Sequence, residues 1–395
     1  MTSLIHKLFA FYLPRRLRRW FIYIPLNTVG LFCVFTLAVI IKAAGISTDP
    51  LYTQKTISSD VSAQLKHMDW IMRRSADQSK LDIYTQYTEV CGKSLEWDYG
   101  FYVFYALCLD SLVQQYPEQR AKAAEHIDLC ARLLMQLPIG ASESEIASIL
   151  KDREIESASL ITGYKCVVLC IRESIIKDHL YNQIIAKMAD ELTKELNMQL
   201  VRCSSVYTSD QSTQLHAIWR SDQILGSDHS ILFSAWLNTM RSKFLDPEHG
   251  LLYSLVSIGP DKIDSPPRST SIAWSIIFLK DIYPEFAEQQ FAALQSYRVR
   301  RFVNLSAISE YPDGNLLNFG DLDSGPMILG LSPSATGFGI CAQKLYGNQD
   351  AYTRTYRLFE IFGWVKEDET GKYYRMGNGM GDAILLYSKI VEPES

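Results

Sequence analysis

Pairs of carboxylates suit general acid–base chemistry, in which one group gives a proton and another takes one. Asp321 and Asp323 flank a single leucine in "DLDSGPMILGLSPSATGF" (Asp321–Phe338), just ahead of a Gly-Pro turn. One of them is expected to face a cavity while the other caps the segment that follows. Ser332 or Ser334 would serve equally well as the N-cap of a helix beginning "ATGFGI". "LEWDYG" brings Glu96, Trp97, Asp98 and Tyr99 together at the start of an apolar helix, where carboxylates also favour the helix dipole. "CSSVYTSDQST" sets Cys203, Tyr207 and Asp210 before a helix carrying His216, Trp219 and Asp222. His216 reads as a packed or solvent-facing histidine and not as a base. In "DSPPRSTS", Arg268 stands beside a helix start and suits a polar or anionic substrate. Each stretch also reads as an ordinary helix start.

Glycoside cleavage needs an acid and a second carboxylate roughly 5–10 Å apart. Asp98 with Asp321 or Asp323 is the pair expected here, with Trp97 and Tyr99 as neighbouring aromatic contacts. The 8 cysteines show no zinc-type spacing, since Cys166 and Cys170 lack a second pair or histidine partners. Neither a metal nor a cofactor is expected. A disulfide such as Cys91 to Cys130 fits an exported domain, with the connectivity open.

Positioning these groups falls to helices. "VSAQLKHMDWIMRRS" places Val61, Leu65, Met68 and Met72 on one face at spacings of three and four. Comparable patterns recur to "GDAILLYSKIV" near the C-terminus. Helix follows helix with short connections, which predicts an all-α fold, an (α/α)6 toroid, with an irregular helical bundle as the second reading. Strands are expected only in "GLLYSLVSIG" and "KYYRM".

With 395 residues, 47% hydrophobic and 21% charged, the chain has ample material for a core. A net charge of −5 argues against nucleic acid as a partner. From Trp20 to Ile41 no residue is charged, which matches the length of a spanning helix. Lys7, Arg15, Arg16, Arg18 and Arg19 precede it, so residues 1–19 are expected in the cytoplasm and the large domain on the far side of the membrane. The expected organisation is thus a basic N-terminus (1–19), a transmembrane signal anchor (20–41), a polar linker (42–60) and a helical domain (61–395).

The central stretch "LHAIWRSDQILGSDHSILFSAWLNTMRSKFLDPEHGLLYSL", continued by "STSIAWSIIFLKDIYPEFAEQQFAAL", resembles the linalool dehydratase/isomerase family. That resemblance implies an (α/α)6 barrel, an export-side location and homo-oligomeric rings. It does not carry over the activity on linalool itself. The family's first-helix aspartate falls on Met72, its middle-helix histidine on Tyr164, and its pocket cysteines on Cys203 and near Asp210. The implied chemistry is that of a lyase or isomerase acting on an apolar, terpenoid-like small molecule, in a closed pocket bounded by Met72, Tyr164 and Cys203. A glycan-directed hydrolase or lyase using loop carboxylates is the alternative, and a non-catalytic tethered binding domain is a third reading.

Overall fold

The structure is a computed structural model and describes residues 31, 34–48, 56–78, 81–87, 93–151, 153–155, 159–202, 205–312, 320–321 and 323–393. The chain forms two compact units, residues 1–47 and 48–395. In the first, residues 34–44 are helical. Among the described residues no helix is long and apolar enough to cross a membrane. This corrects the anchor expected over 20–41, and with it the single-pass membrane location and the membrane as partner. Residues 34–44 rise only roughly 16 Å, about half of a hydrocarbon core, and residues 20–30 lie outside the described residues.

The second unit begins with α1 (Ser59–Asp77), α2 (Leu95–Gln115), α3 (Arg120–Leu134), the short α4 (Glu143–Lys151), α5 (Leu160–Ile176) and α6 (Asn182–Gln199). β1 (Ser205–Tyr207), α7 (Thr208–Leu225), α8 (Ser230–Lys243), β2 (Leu255–Ser257) and β3 (Lys262–Ser265) follow. Next come α9 (Ser269–Leu279), α10 (Pro284–Arg298), β4 (Val299–Phe302) and β5 (Leu305–Ile308). The chain closes with α11 (Pro333–Leu345), α12 (Gln349–Phe362), β6 (Val365–Asp368), β7 (Gly371–Tyr374) and α13 (Gly379–Ile390). The all-α class expected from the sequence holds, with small hairpins added.

Helices of two kinds alternate. α2 is buried without a break from Gly100 to Asp110, and α9 along almost its whole length. Helices apolar all round must be enclosed by others, whereas a one-sided helix such as α12, which buries Ala351, Tyr352, Thr355 and Tyr356, belongs outside. The packing follows that rule. α2, α5, α7, α9, α11 and α13 each pack on the next, and α13 closes back onto α2. α1, α3, α6, α10 and α12 pack against this ring from without.

Contacts between ring helices join equivalent heights, so the six run in the same direction. Near their starts, Thr270 Oγ1 lies 3.2 Å from Ser332 Oγ, and Ser212 Oγ donates to Ser275 Oγ at 3.0 Å. Midway, Phe104 meets Trp274 at 5.5 Å, Phe338 at 5.7 Å and Tyr387 at 6.2 Å, filling the axis with aromatic rings from four helices. Phe104→Ala would leave a cavity there at a cost of about 3–5 kcal/mol. Toward the far end, Arg220 pairs with Asp110 at 2.9 Å and its Nε donates to His216 Nε2 at 2.7 Å. His216 Nδ1 donates in turn to the Phe278 carbonyl at 3.0 Å. Burial drives the His216 pKa down to about 3, so it stays neutral and packed.

All six ring N-termini therefore open at one mouth. Ser94, Ser159, Ser332 and Asn378 cap four of them through side-chain oxygens, and Pro333 occupies the first turn of α11. The sheets lie on the connections entering the ring: β1-β2-β3 beside α7 and α9, β4-β5 before α11, and β6-β7 before α13. Two strands were expected. The others are pieces of three or four residues, too short for a period-2 pattern to register. "RVRRF" reads as a helix end in sequence, but α10 stops at Arg298 and Val299 turns extended. Cys130, expected as a disulfide partner, is a free buried thiol whose Sγ lies 3.9 Å from Met72 Sδ. Cys91 lies outside the described residues.

Candidate active site

The mouth draws carboxylates from separate elements. Glu96 stands one residue into α2, behind the Ser94 cap, and is exposed. Asp210 sits in the first turn of α7 and is half-buried. Asp323 is exposed in the loop that precedes α11. These three influence one another. The Asp210 pKa is pushed up to about 7, first by burial and then by the charges of Glu96 and Asp323. Glu96 is raised by partial burial and then by Asp323. Asp323 is raised by partial burial and then by Asp321. Asp210 therefore keeps its proton well above the usual carboxylate range, under the influence of two exposed carboxylates.

Beneath them lies Tyr164 of α5, 3% exposed, its hydroxyl pushed well up by burial and then by Asp210, Glu96 and Asp323. Its ring meets Trp274 of α9 at 5.9 Å. Trp274 Nε1 donates to Thr213 Oγ1 at 2.8 Å, which fixes that indole, and Phe338 of α11 stands edge-on to it at 4.9 Å. An acid, two further carboxylates, a phenol and an aromatic base thus share one mouth.

Asp321 has a different task from Asp323. Its Oδ1 accepts from Arg268 Nη2 at 2.9 Å and from Ser324 N and Ser324 Oγ at 2.9 Å each. Although burial acts to raise it, the Ser324 amide and the Arg268 charge hold Asp321 below its usual value. Arg268 Nε also donates at 3.0 Å to Glu310, which is fully buried and accepts from Thr270 Oγ1 at 2.7 Å. Arg268 is thus committed to a clasp that ties the Asp321 turn and the end of β5 to the start of α9. Asp321 thus fastens the turn at Ser324, while Asp323 stands exposed two residues on. Ser332, accepting from Ala335 N at 3.0 Å, is the α11 cap.

The remaining expected residues scatter. Asp98 is half-buried on the side of α2 that carries Tyr102, whose pKa it raises together with burial and Cys130 of α3. Trp97 is half-buried, and Tyr99 lies under Lys165, whose Nζ is 5.8 Å from the ring centroid. Met72 is 1% exposed and sealed between α1 and α3. Cys203 lies outside the described residues. Among the described residues no cluster of ligating groups could hold a metal ion. Sequence reasoning missed Glu96 as a site residue although it stands in "LEWDYG", and missed Glu310 altogether. A helix-start position was the only available signal for the first, and nothing local marks the second.

No family model matches the chain, and no curated protein does. Among solved structures, a selenomethionine derivative of a GH76 α-mannanase of Bacteroides thetaiotaomicron aligns with 84% of this chain and 93% of its own, at 11% identity and a TM-score of 0.46. A likeness of that strength carries no argument about fold or activity. The resemblance to the linalool dehydratase/isomerase family finds no support in these comparisons. With Met72 sealed in the core, the expected apolar pocket is not assembled either, and the lyase/isomerase reading built on it is withdrawn.

Proposed function

We propose that the chain is a glycan-directed hydrolase or lyase, built as an (α/α)6 toroid whose carboxylates act at the mouth formed by the ring N-termini. The observation that carries this reading is the gathering of Asp210 from the first turn of α7, Glu96 from the first turn of α2 and Asp323 from the loop before α11 at the end where the ring helices begin, with the Asp210 pKa pushed up to about 7 in support. A general acid works best when its pKa lies near the operating pH. Asp210 supplies the proton to the departing glycosidic oxygen. Glu96 or Asp323, ionised at the rim, takes the proton of the incoming water or the proton removed from the sugar. Tyr164, Trp274 and Phe338 form the packed aromatic floor beneath these carboxylates.

The test is an assay of the full chain and its Asp210→Asn variant on a panel of polysaccharides, reading new reducing ends and unsaturated ends separately. The reading expects turnover of at least one polysaccharide and its loss by about a hundredfold or more in the variant. Equal turnover by both proteins, or none by the wild type across the panel, overturns it.

A further inference from the structure

We infer that His67, Tyr87 and Asp382 form a buried latch, set by a single proton, that fastens the chain entering α2 to the first turn of α13 and so positions Glu96. The latch does not depend on the acid–base reading above. Residues 81–87 lead from α1 toward α2 and are held at three points. The Gly379 amide, at the start of α13, donates to the Ile83 carbonyl at 2.8 Å, and a Cβ on Gly379 would come within 2.9 Å of Ile83. The Tyr84 hydroxyl accepts from Ser94 N at 3.1 Å and donates to the Ser94 carbonyl at 3.3 Å, with Lys93 Nζ 5.3 Å from its ring centroid. Ser94 Oγ accepts in turn from Glu96 N at 3.2 Å. The Tyr87 hydroxyl lies 2.5 Å from Asp382 Oδ2 and 3.0 Å from His67 Nε2. Contacts thus run without a break from α13 through the entry segment to the residue that carries the Glu96 carboxylate.

The hydrogen bonds around Tyr87 take their direction from that proton. Thr370 Oγ1 donates to Asp368 Oδ1 at 2.7 Å, the nearer of its two acceptors, and His67 Nδ1 stands 3.2 Å from Thr370 Oγ1. Thr370 has then used its only proton, so His67 donates through Nδ1 and its Nε2 must accept. When Tyr87 donates to Nε2, Asp382 has to supply a proton to the Tyr87 oxygen and is a neutral acid. Its Oδ1 still accepts from Tyr374 N at 3.1 Å. All three side chains are then satisfied without a buried charge. Burial favours the same state, driving His67 down to about 4 and Asp382 up to about 8. The charges nearby do not reverse it. Lys372 and Lys389 act to lower Asp382 but are engaged by Asp60 and Glu360, and Asp368 acts to raise His67. The rings of Tyr373 and Trp70 stack on His67 at 4.5 and 5.5 Å. When Asp382 gives its proton to solvent, the Tyr87 hydroxyl turns to it and His67 Nε2 loses its donor. Asp382 binds the proton more tightly in the fold than in the open chain. Its contribution is therefore fully present below 3.8 and is lost as pH rises through about 8.

Hydrogen exchange of the full chain tests the latch, read at the Ser94, Asp98 and Gly379 amides and corrected for the intrinsic effect of pH. Wild-type protection there should fall between pH 7 and pH 9. Asp382→Asn should hold it at both values, because its amide donates to Tyr87 and its oxygen accepts from Tyr374 N. Asp382→Ala and Tyr87→Phe should each lose about tenfold in protection at pH 7, as befits lost buried hydrogen bonds, with the amides of α9 unchanged. Infrared spectra with ¹³C-labelled aspartate read the proton itself, in an Asp210→Asn background. A protonated-carboxyl band should be present at pH 7 and vanish when Asp382→Asn is added. A missing band, an Asn variant as labile as the Ala variant, or wild-type protection unchanged from pH 7 to pH 9 overturns the inference. None of these readouts needs turnover, so a wild type inactive on every polysaccharide sinks the acid–base reading and leaves the latch standing.

Discussion

Asp210 titrates near 7 while its unfolded counterpart titrates near 3.8, so the folded protein holds a proton that the unfolded chain has released between those values. Two signs follow. As a proton donor Asp210 is active below about 7, so turnover should fall as pH rises through that value, and a profile flat from 5 to 9 would exclude it as the acid. In stability, its contribution is fully present below 3.8 and is lost as pH rises toward 7. Asp210→Asn should therefore melt higher than wild type at pH 8 and no higher at pH 3, in paired thermal scans. The aspartates at 321 and 323 separate the same way. Asp323→Asn should lower turnover by about tenfold or more with little change in melting. Asp321→Asn should cost about 1 kcal/mol, because its partly exposed ion pair and turn bonds are weakened. The reverse pattern would interchange their roles. The aspartate motif was visible in sequence, but the division of labour was not, since Arg268 lies 53 residues away and chooses one of two similar carboxylates.

Among the elements, the clasp of α9, β5 and the α11 loop is the most exposed to failure. Arg268→Ala strands Glu310, which is 0% exposed, and removal of one member of a buried pair costs about 3–5 kcal/mol. Arg268→Ala with Glu310→Gln should recover part of that loss, measured by denaturant midpoints. No recovery would mean that Arg268 acts through packing alone. Element type was legible where it depended on burial. The unbroken apolar run of α2 and the one-sided face of α1 are different patterns, and the fold uses them inside and outside the ring. The hairpins were less legible. Gly371 of β7 has φ +117°, and a Cβ there would collide with the Ala63 carbonyl and the His67 amide of α1. That constraint comes from a helix some three hundred residues away, and no local pattern announces it.

For the whole molecule, closure of the ring is the decisive event. α13 packs on both α2 and α11, so the first ring helix and the last meet only after the intervening chain has folded. Removing residues 379–395 should leave five ring helices with an open side and an aromatic axis lacking Tyr387. Near-UV circular dichroism during heating should then show a broad, uncooperative loss in place of a sigmoidal transition. An unchanged sigmoid would show that α13 is dispensable. Because the ring helices run in the same direction, closure also gathers their N-termini, and with them Glu96, Asp210 and the Asp323 loop.

The sequence by itself determined that the chain is helical, that the helix after "LEWDYG" is apolar throughout, and that Asp210, Asp321 and Asp323 stand at or before helix starts, because burial pattern and capping chemistry are local. It also pointed to Met72 as a pocket wall, which the tertiary structure seals in the core, and to a membrane span, for which no described helix is long and apolar enough. Only the fold decided which carboxylates share a field and which arginine is already engaged. Charge–charge effects and hydrogen-bond satisfaction depend on distance through space, and in a closed ring the groups that matter most to one another are far apart along the chain.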